Sequence, residues 1–331
     1  MNKGYDTLAG LLEGKVKTKA NKTGDLKGRV KRVTDKASEV MVKVSGAAKG
    51  AEHVKAHLDY ISRNGKLELE NERGEVIKGK AAVKEVHKEW TQDGGKRRAN
   101  TRDTANLVLS MPKGTDPKAV RDSARDFAKG QFGDNYQYVF ALHTDVDHPH
   151  VHLTIKTLGH DGRRLHIKKG DPQKWREGFA EQLQRRGIDA EATPRAPRGV
   201  VKKAVSQVIK NIRSRGEIPE VDKAKVKEIV SEFKDKQAGK PPKAKPWEDK
   251  IQQRQQEVRK SWLSAAKDLN QGDAEDRELA SKIVGFVSSM PPLATERHEI
   301  AAKLAEQMKP QQKAQDVGQG KAKSERDEDE R

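Results

Sequence analysis

Four of the chain's ten histidines, His143, His148, His150 and His152, fall within ten residues, in the stretch Phe140-Ala-Leu-His-Thr-Asp-Val-Asp-His-Pro-His-Val-His-Leu-Thr-Ile-Lys156. The flanks read as strands, over 136–142 and 151–158, and side chains at i and i+2 of a strand share a face. His150 and His152 therefore set two imidazoles side by side, with Val151 and Leu153 facing the opposite way. His143 ends the preceding strand and reaches them when Thr144 to Pro149 turns the chain back. Neutral imidazoles on one side of a sheet, with the rest of the sphere open, suit a catalytic metal. Asp145 and Asp147 stand close enough to orient a ring through its second nitrogen. A polar surface hairpin merely rich in histidine is the plain alternative, and two histidines at strand spacing weigh against it.

A metal on imidazoles polarises an oxygen, and a nucleophile must complete the chemistry. The tyrosines are Tyr5, Tyr60, Tyr136 and Tyr138. Tyr136 and Tyr138 sit in an expected strand, and Tyr5 in a basic N-terminal segment. Tyr60 shares a helix face with His53 and His57 and precedes the polar, cationic turn Ser62-Arg63-Asn64-Gly65, suited to a backbone phosphate. A phenol has a pKa of about 10 and needs a base or a nearby cation to attack. A phosphotyrosine retains the energy of the broken linkage, so a strand joined to Tyr60 can later be resealed.

The elements that must hold these groups are legible in outline. A strand is expected over 39–45, then a helix over 47–63 with Val54, Leu58 and Ile61 as its apolar stripe. A hairpin over 68–78 turns at Arg73-Gly74, and a helix runs on through Trp90. A strand over 106–110 leads to a helix that begins at Pro117 with Asp116 as its cap. After the histidine stretch, His160-Asp-Gly162 reads as a hairpin turn into a return strand over 163–168, and a helix follows over 175–186. This alternation predicts an α+β unit, an antiparallel sheet with helices packed on one face.

The chain has 331 residues, with 68 Lys and Arg against 50 Asp and Glu, a net charge of +18. Such an imbalance favours a polyanionic partner, nucleic acid before an acidic membrane surface. The absence of cysteine removes disulfides and thiolate metal sites. No apolar run approaches the roughly 20 residues of a membrane span, and a soluble, intracellular protein without membrane insertion is expected. Residues 1–37 read as a basic, mobile arm and 38–200 as the catalytic unit. Residues 201–246 read as a helix and a Pro/Lys linker, and 309–331 as a polar tail. Between them, 247–308 read as a small helical module with Trp262, Leu263, Ile283, Val284 and Phe286 as its core, so the C-terminal extension is all-α and basic. Arg97, Arg98, Arg163, Arg164, Lys168 and Lys169 are expected in loops near the histidines, where they would follow a DNA backbone.

His143-Thr-Asp-Val-Asp-His-Pro-His-Val-His152 closely resembles the third motif of conjugative mobilisation relaxases of the MobA type, members of the HUH endonuclease superfamily. His57-Leu-Asp-Tyr-Ile-Ser-Arg-Asn-Gly65 looks like their first motif, which carries the catalytic tyrosine. Leu109-Ser-Met-Pro112 and its turn look like the second, in which a serine, here Ser110, lies near the DNA. The three occur in the family's order, and the resemblance covers about residues 38–200. It implies that His143, His150 and His152 hold a divalent ion against the scissile phosphate, with His148 as an alternative ligand. Tyr60 would attack, leaving a 5′-phosphotyrosyl strand and a free 3′-hydroxyl at a plasmid transfer origin, and Asp145 would tune a histidine or assist proton removal. Arg63 and Asn64 would contact the DNA. The family's ions are Mg²⁺ or Mn²⁺, whereas imidazoles alone favour a later transition metal, so the residues leave the ion open. The implied partners are supercoiled or single-stranded origin DNA, accessory nicking proteins and a type IV secretion coupling protein. The implied setting is a bacterial cytoplasm, with passage into a recipient cell. Two other readings stay open. His148-Pro-His-Val-His-Leu-Thr-Ile155 also looks like the histidine-triad signature of nucleotide hydrolases, with His150 as nucleophile. A non-enzymatic basic DNA-binding protein with a structural metal is the third.

Overall fold

A computed structural model describes residues 3–13, 26–92, 98, 100–201, 205–241 and 245–306. In chain order its elements are α1 (Lys3–Glu13), α2 (Leu26–Thr34), β1 (Ser38–Glu39), β2 (Met41–Gly46), α3 (Ala51–Ile61), β3 (Leu69–Asn71) and β4 (Val76–Ile77). There follow α4 (Gly79–Thr91), β5 (Thr104–Ser110), α5 (Pro117–Phe132), β6 (Tyr138–His143), β7 (His150–Lys156), α6 (Asp171–Gln184) and β8 (Ala190–Glu191). The last are α7 (Gln207–Ser214), α8 (Glu220–Gln237), α9 (Pro246–Leu269) and α10 (Ala274–Ser288). Two compact units divide the chain, Glu13–Thr193 on one hand, and Met1–Leu12 with Pro194–Arg331 on the other.

In the first unit six strands form one antiparallel sheet in the order β2-β5-β7-β6-β3-β4. The period of two divides each central strand between two cores. Leu107 and Leu109 of β5, Tyr138 and Phe140 of β6, and Val151, Leu153 and Ile155 of β7 join Phe127, Trp175 and Phe179 of α5 and α6. On the other face Val139 and Ala141 of β6 meet Val54, Leu58 and Ile61 of α3 and Val83 and Trp90 of α4. The α+β antiparallel architecture is the expected one, and its helices lie on both faces because β6 is apolar on both. Asp116 caps α5 by accepting from the backbone N–H of Lys118 and Ala119, with Pro117 in the first turn.

Two segments differ from expectation. Residues 163–168 are not a strand: the turn at Gly159–Arg163 forms, but only a single bridge, Leu158 to Arg164, follows it. β7 is already hydrogen-bonded on both sides, by β5 and β6, so it has no edge to offer a returning strand. Residues 1–37, read as a mobile arm, contain two helices. α2 buries Val30 and Val33, and Arg29 and Arg32 pair with the buried Glu191 of β8, at 3.3 and 3.2 Å.

The second unit is helical. α9 and α10 pack through Trp262, Ile283 and Phe286, with the Trp262 and Phe286 rings edge to face at 5.1 Å. Leu263 and Val284, expected in that core, are 44% and 48% exposed. Each follows a buried residue and so points about 100° away around its helix. In α1, Leu8 and Leu12, one helical turn apart, are fully buried. The tail 309–331 lies outside the described residues.

The turn leaving α3 depends on Gly65, whose φ is +81° and whose absent Cβ would fall 2.3 Å from the Lys80 backbone nitrogen. Neither the dihedral nor the contact tolerates a side chain. Gly65→Ala is expected to cost about 2–3 kcal/mol and to lower the melting temperature by about 5–10 °C, measurable by thermal denaturation.

Candidate active site

The register of β6 on β7 sets the Cα of His143 opposite that of His150, and Ala141 opposite His152. The three imidazoles thereby converge on the α3 face of the sheet. Their ring centroids lie 5.3 Å apart for His143 and His150, 4.5 Å for His143 and His152, and 5.1 Å for His150 and His152. One nitrogen from each lies within 4.8 Å of the other two.

Hydrogen bonds assign the free lone pairs. His143 Nε2 is 2.7 Å from the Ile61 carbonyl, which can only accept, so Nε2 carries the proton and Nδ1 is free. His150 Nδ1 is 3.3 Å from the His148 carbonyl, which by the same logic leaves Nε2 free. Burial pushes His152 down to about 3, with His143, His150, His57 and Arg63 adding to the effect. Burial likewise lowers His143. Three imidazole nitrogens in one cluster are the donor set a divalent ion takes from histidine. His148 stays outside this set. Its ring is exposed, 5.6 Å from that of His150, and its carbonyl makes the contact.

α3 brings Tyr60 to the cluster in its last turn. The ring is 51% exposed and meets His152 edge-on at 5.5 Å, with His57 and His143 both at 6.3 Å. Arg63 lies over the Tyr60 ring at 5.4 Å, approaches His143 Nδ1 at 3.3 Å and forms an ion pair with Asp145. Its guanidinium thus sits at the lone pair that an ion on His143 would use. Arg63 and Asn64 both take left-handed conformations, φ 51° and 57°, an arrangement that costs energy and turns the chain sharply after Tyr60. Asp145 Oδ1 is 4.0 Å from His143 Nδ1, so its firmer partner is Arg63. Asp147 pairs instead with Lys113, at 3.0 Å on the surface.

His57, expected on the Tyr60 face of the helix, has a sheet partner that the motifs do not reveal. Its Nε2 is 2.9 Å from Thr154 Oγ1, and burial lowers its pKa to about 4. The signals were present: His57 precedes Tyr60 by one helical turn, and Thr154 continues the parity of His150 and His152. Ser110 is the cross-strand neighbour of His150, but it is 4% exposed and its hydroxyl is directed to the Met111 carbonyl at 3.4 Å, so it presents no surface to a ligand. Asn64 is exposed beside the site.

The basic residues expected near the histidines are elsewhere. β7 starts at His150 and ends at Lys156, and Arg163, Arg164 and Lys168 follow its far end. Arg98 precedes β5, whose first residue pairs with Lys156, so it too stands at that end. Six steps of about 3.3 Å put about 20 Å between them and the cluster. Arg97 lies outside the described residues.

The sequence model of the family described as Relaxase, MobA/VirD2-like, nuclease domain matches residues 60–188. T-DNA border endonuclease VirD2 of Rhizobium radiobacter is 28% identical over 192 residues, covering 51% of this chain and 45% of that protein. VirD2 of Rhizobium rhizogenes is 29% identical over 192 residues, covering 51% and 44%. A 43 kDa relaxation protein of Salmonella typhimurium is 27% identical over 117 residues, 32% of each chain. The chain therefore spans less than half the length of each of these relatives. A solved structure described as Molecular Basis of Vancomycin Resistance Transfer in Staphylococcus aureus aligns with 48% of this chain and 99% of its own, at 14% identity and a TM-score of 0.31, too loose a superposition to bear on fold or function. Residues 60–188, the segment matched by the MobA/VirD2-like relaxase nuclease model, include Tyr60 and all three histidines of the cluster.

The neutral state of His57 makes stability depend on pH. The unfolded imidazole takes up a proton near pH 6.5, the folded one only near 4. Between these values the unfolded state binds more protons, so stability is complete above about pH 6.5 and is lost as pH falls towards 4. Melting temperatures measured in chelator from pH 7.5 to 5 should therefore fall. His57→Gln, which can still bond Thr154 and cannot charge, should lessen that fall.

Proposed function

We propose that this chain is the relaxase of a mobilisable DNA element. It nicks one strand at a transfer origin and later reseals it. The observation that carries this reading is the packing of the Tyr60 ring against His57, His143 and His152, at the edge of a three-imidazole cluster. Neither a histidine-triad hydrolase nor a binding protein needs a half-exposed tyrosine there. The names of the relatives, a border endonuclease and a relaxation protein, point the same way.

In the proposed reaction Tyr60 Oη forms a bond to phosphorus as the bond from phosphorus to the 3′-oxygen breaks. The phenolic proton leaves, and the departing 3′-oxygen takes one up. The products are a 5′-phosphotyrosyl strand and a 3′-hydroxyl, and reversal restores the phosphodiester. His143, His150 and His152 would hold a divalent ion, Mg²⁺ or Mn²⁺, which when bound would draw charge from a non-bridging phosphate oxygen. Arg63, over the Tyr60 ring, would stabilise developing phenolate charge, and Asp145 would hold Arg63 in place. Asn64, exposed in the turn, would contact the adjacent backbone. The protein would work in a bacterial cytoplasm with accessory nicking proteins and a type IV secretion coupling protein, and cross to the recipient with its strand. No helix among the described residues is long and apolar enough to cross a membrane.

The test is supercoiled DNA of the encoding element, incubated with protein and Mg²⁺ or Mn²⁺, quenched with detergent and protease, and resolved on a gel. Wild type should yield nicked circles with peptide on the 5′ end. Tyr60→Phe should lower the rate by at least about a thousandfold, and His150→Ala or a chelator should abolish most nicking. Nicking undiminished by Tyr60→Phe would place the nucleophile elsewhere. Folded protein inactive with every ion would overturn the reading.

A further inference from the structure

At the far end of the sheet from Tyr60 lies a groove of about 710 Å³, lined by β2 from Val44 onward, the approach to β5, and the loop 164–167. Lys49, Arg102 and Arg164 project into it, with His166, and no Asp or Glu is among its lining residues. Among the described residues, the bonds that Lys49 and Arg164 make go to neutral acceptors, and the Arg102 side chain is exposed. Lys49 Nζ is 3.3 Å from Asn100 Oδ1, and Arg164 Nη1 donates to the Arg102 carbonyl at 3.2 Å and to Thr157 Oγ1 at 3.0 Å. The nearest carboxylate in sequence, Asp103, accepts from the Gly50 backbone N–H at 2.6 Å. Elsewhere in this unit Arg63, Arg125 and Arg186 are paired with carboxylates. Three cations with no carboxylate partner among the described residues, one of them held by two hydrogen bonds, form a site for phosphate oxygens. The exposed Arg163, Lys168 and Lys169 extend the charge along the same loop.

We propose that this groove is a second DNA-backbone site, which grips duplex flanking the nick. The inference rests on the relaxase reading and adds to it a separate anchor. Grooves that track single strands combine cations with aromatic rings on which bases stack. The walls here are Val44, Ala105, Leu165 and Ile167, with no Phe, Tyr or Trp, so the groove meets backbone rather than unpaired bases. The length of β7, about 20 Å, corresponds to about six base pairs of rise. A substrate must therefore carry at least that much duplex beyond the scissile phosphate before the groove contributes.

The experiment compares two DNAs by fluorescence anisotropy across salt concentrations. One is a short single strand bearing the nick site. The other is the same strand with about twenty base pairs of duplex on the flank that tightens wild-type binding. Lys49→Glu with Arg102→Glu should weaken the flanked DNA at least tenfold and reduce its salt dependence by about two phosphate contacts. Binding and nicking of the short strand should stay within twofold. Lys49→Gln with Arg102→Gln should show a smaller loss of the same kind, and both residues are exposed, so the fold is retained. Equal losses on both DNAs, or no loss on the flanked one, would overturn the groove while leaving the relaxase reading intact. Wild-type protein that nicks neither DNA would overturn the relaxase reading itself, and the groove with it.

Discussion

The pairing of β6 with β7 turns the two-residue period of a strand into a site. His143 opposite His150, and His152 one step further on the same face, bring three ring nitrogens within one ion's reach. The same parity sends Val151, Leu153 and Ile155 into the core with α5 and α6. A slip of one residue would bury the imidazoles there and set the aliphatic side chains against α3. Hydrophobic burial on one face thus secures the register that assembles the polar group on the other.

α3 supplies the second half of the arrangement and is pinned to the sheet at two levels. The Ile61 carbonyl accepts a hydrogen bond from His143 Nε2–H, and His57 meets Thr154, so Tyr60 is held between two helix-to-strand hydrogen bonds. The first of these also decides which nitrogen of His143 is available. A structural contact at the end of a helix therefore sets the chemistry of a ring on a strand. The left-handed pair Arg63 and Asn64 then returns the chain over Tyr60, where Arg63 joins the phenol, His143 and Asp145 in one cluster. Local backbone strain is stored at this turn, beside Tyr60 and the histidine cluster, and the packed α3–α4 layer beneath maintains it.

Burial disfavours charge on two of the three clustered rings. His143 and His152 are nearly inaccessible, and desolvation holds both below the ordinary imidazole range, leaving lone pairs rather than charges facing one another. Positive charge is instead distributed around the domain. Arg63 stands over the Tyr60 ring, and a second set of cations stands at the opposite end of β7, with a length of strand between them.

Much of the chemistry was legible in the linear sequence because it depends on short spacings. The i, i+2 pair His150 and His152, the helix bearing Tyr60, the Asp116 cap and the alternation of strands and helices follow from local periodicity alone. Leu263 and Val284 show the limit of such reading, since apolar character does not say which side of a helix faces its neighbour. Other properties required the folded chain. That β7 lies inside the sheet, and so rejects 163–168 as a partner strand, is a matter of strand order. Ser110 is buried between two neighbouring strands, and the recruitment of His57 by Thr154 depends on how α3 crosses the sheet. The basic residues after β7 are close to the histidines in number but a full strand away in space. Sequence determines which side chains share a face, because that repeats every two or every 3.6 residues. Which strands become neighbours, and which helix crosses them, follow from long-range packing that no local spacing encodes.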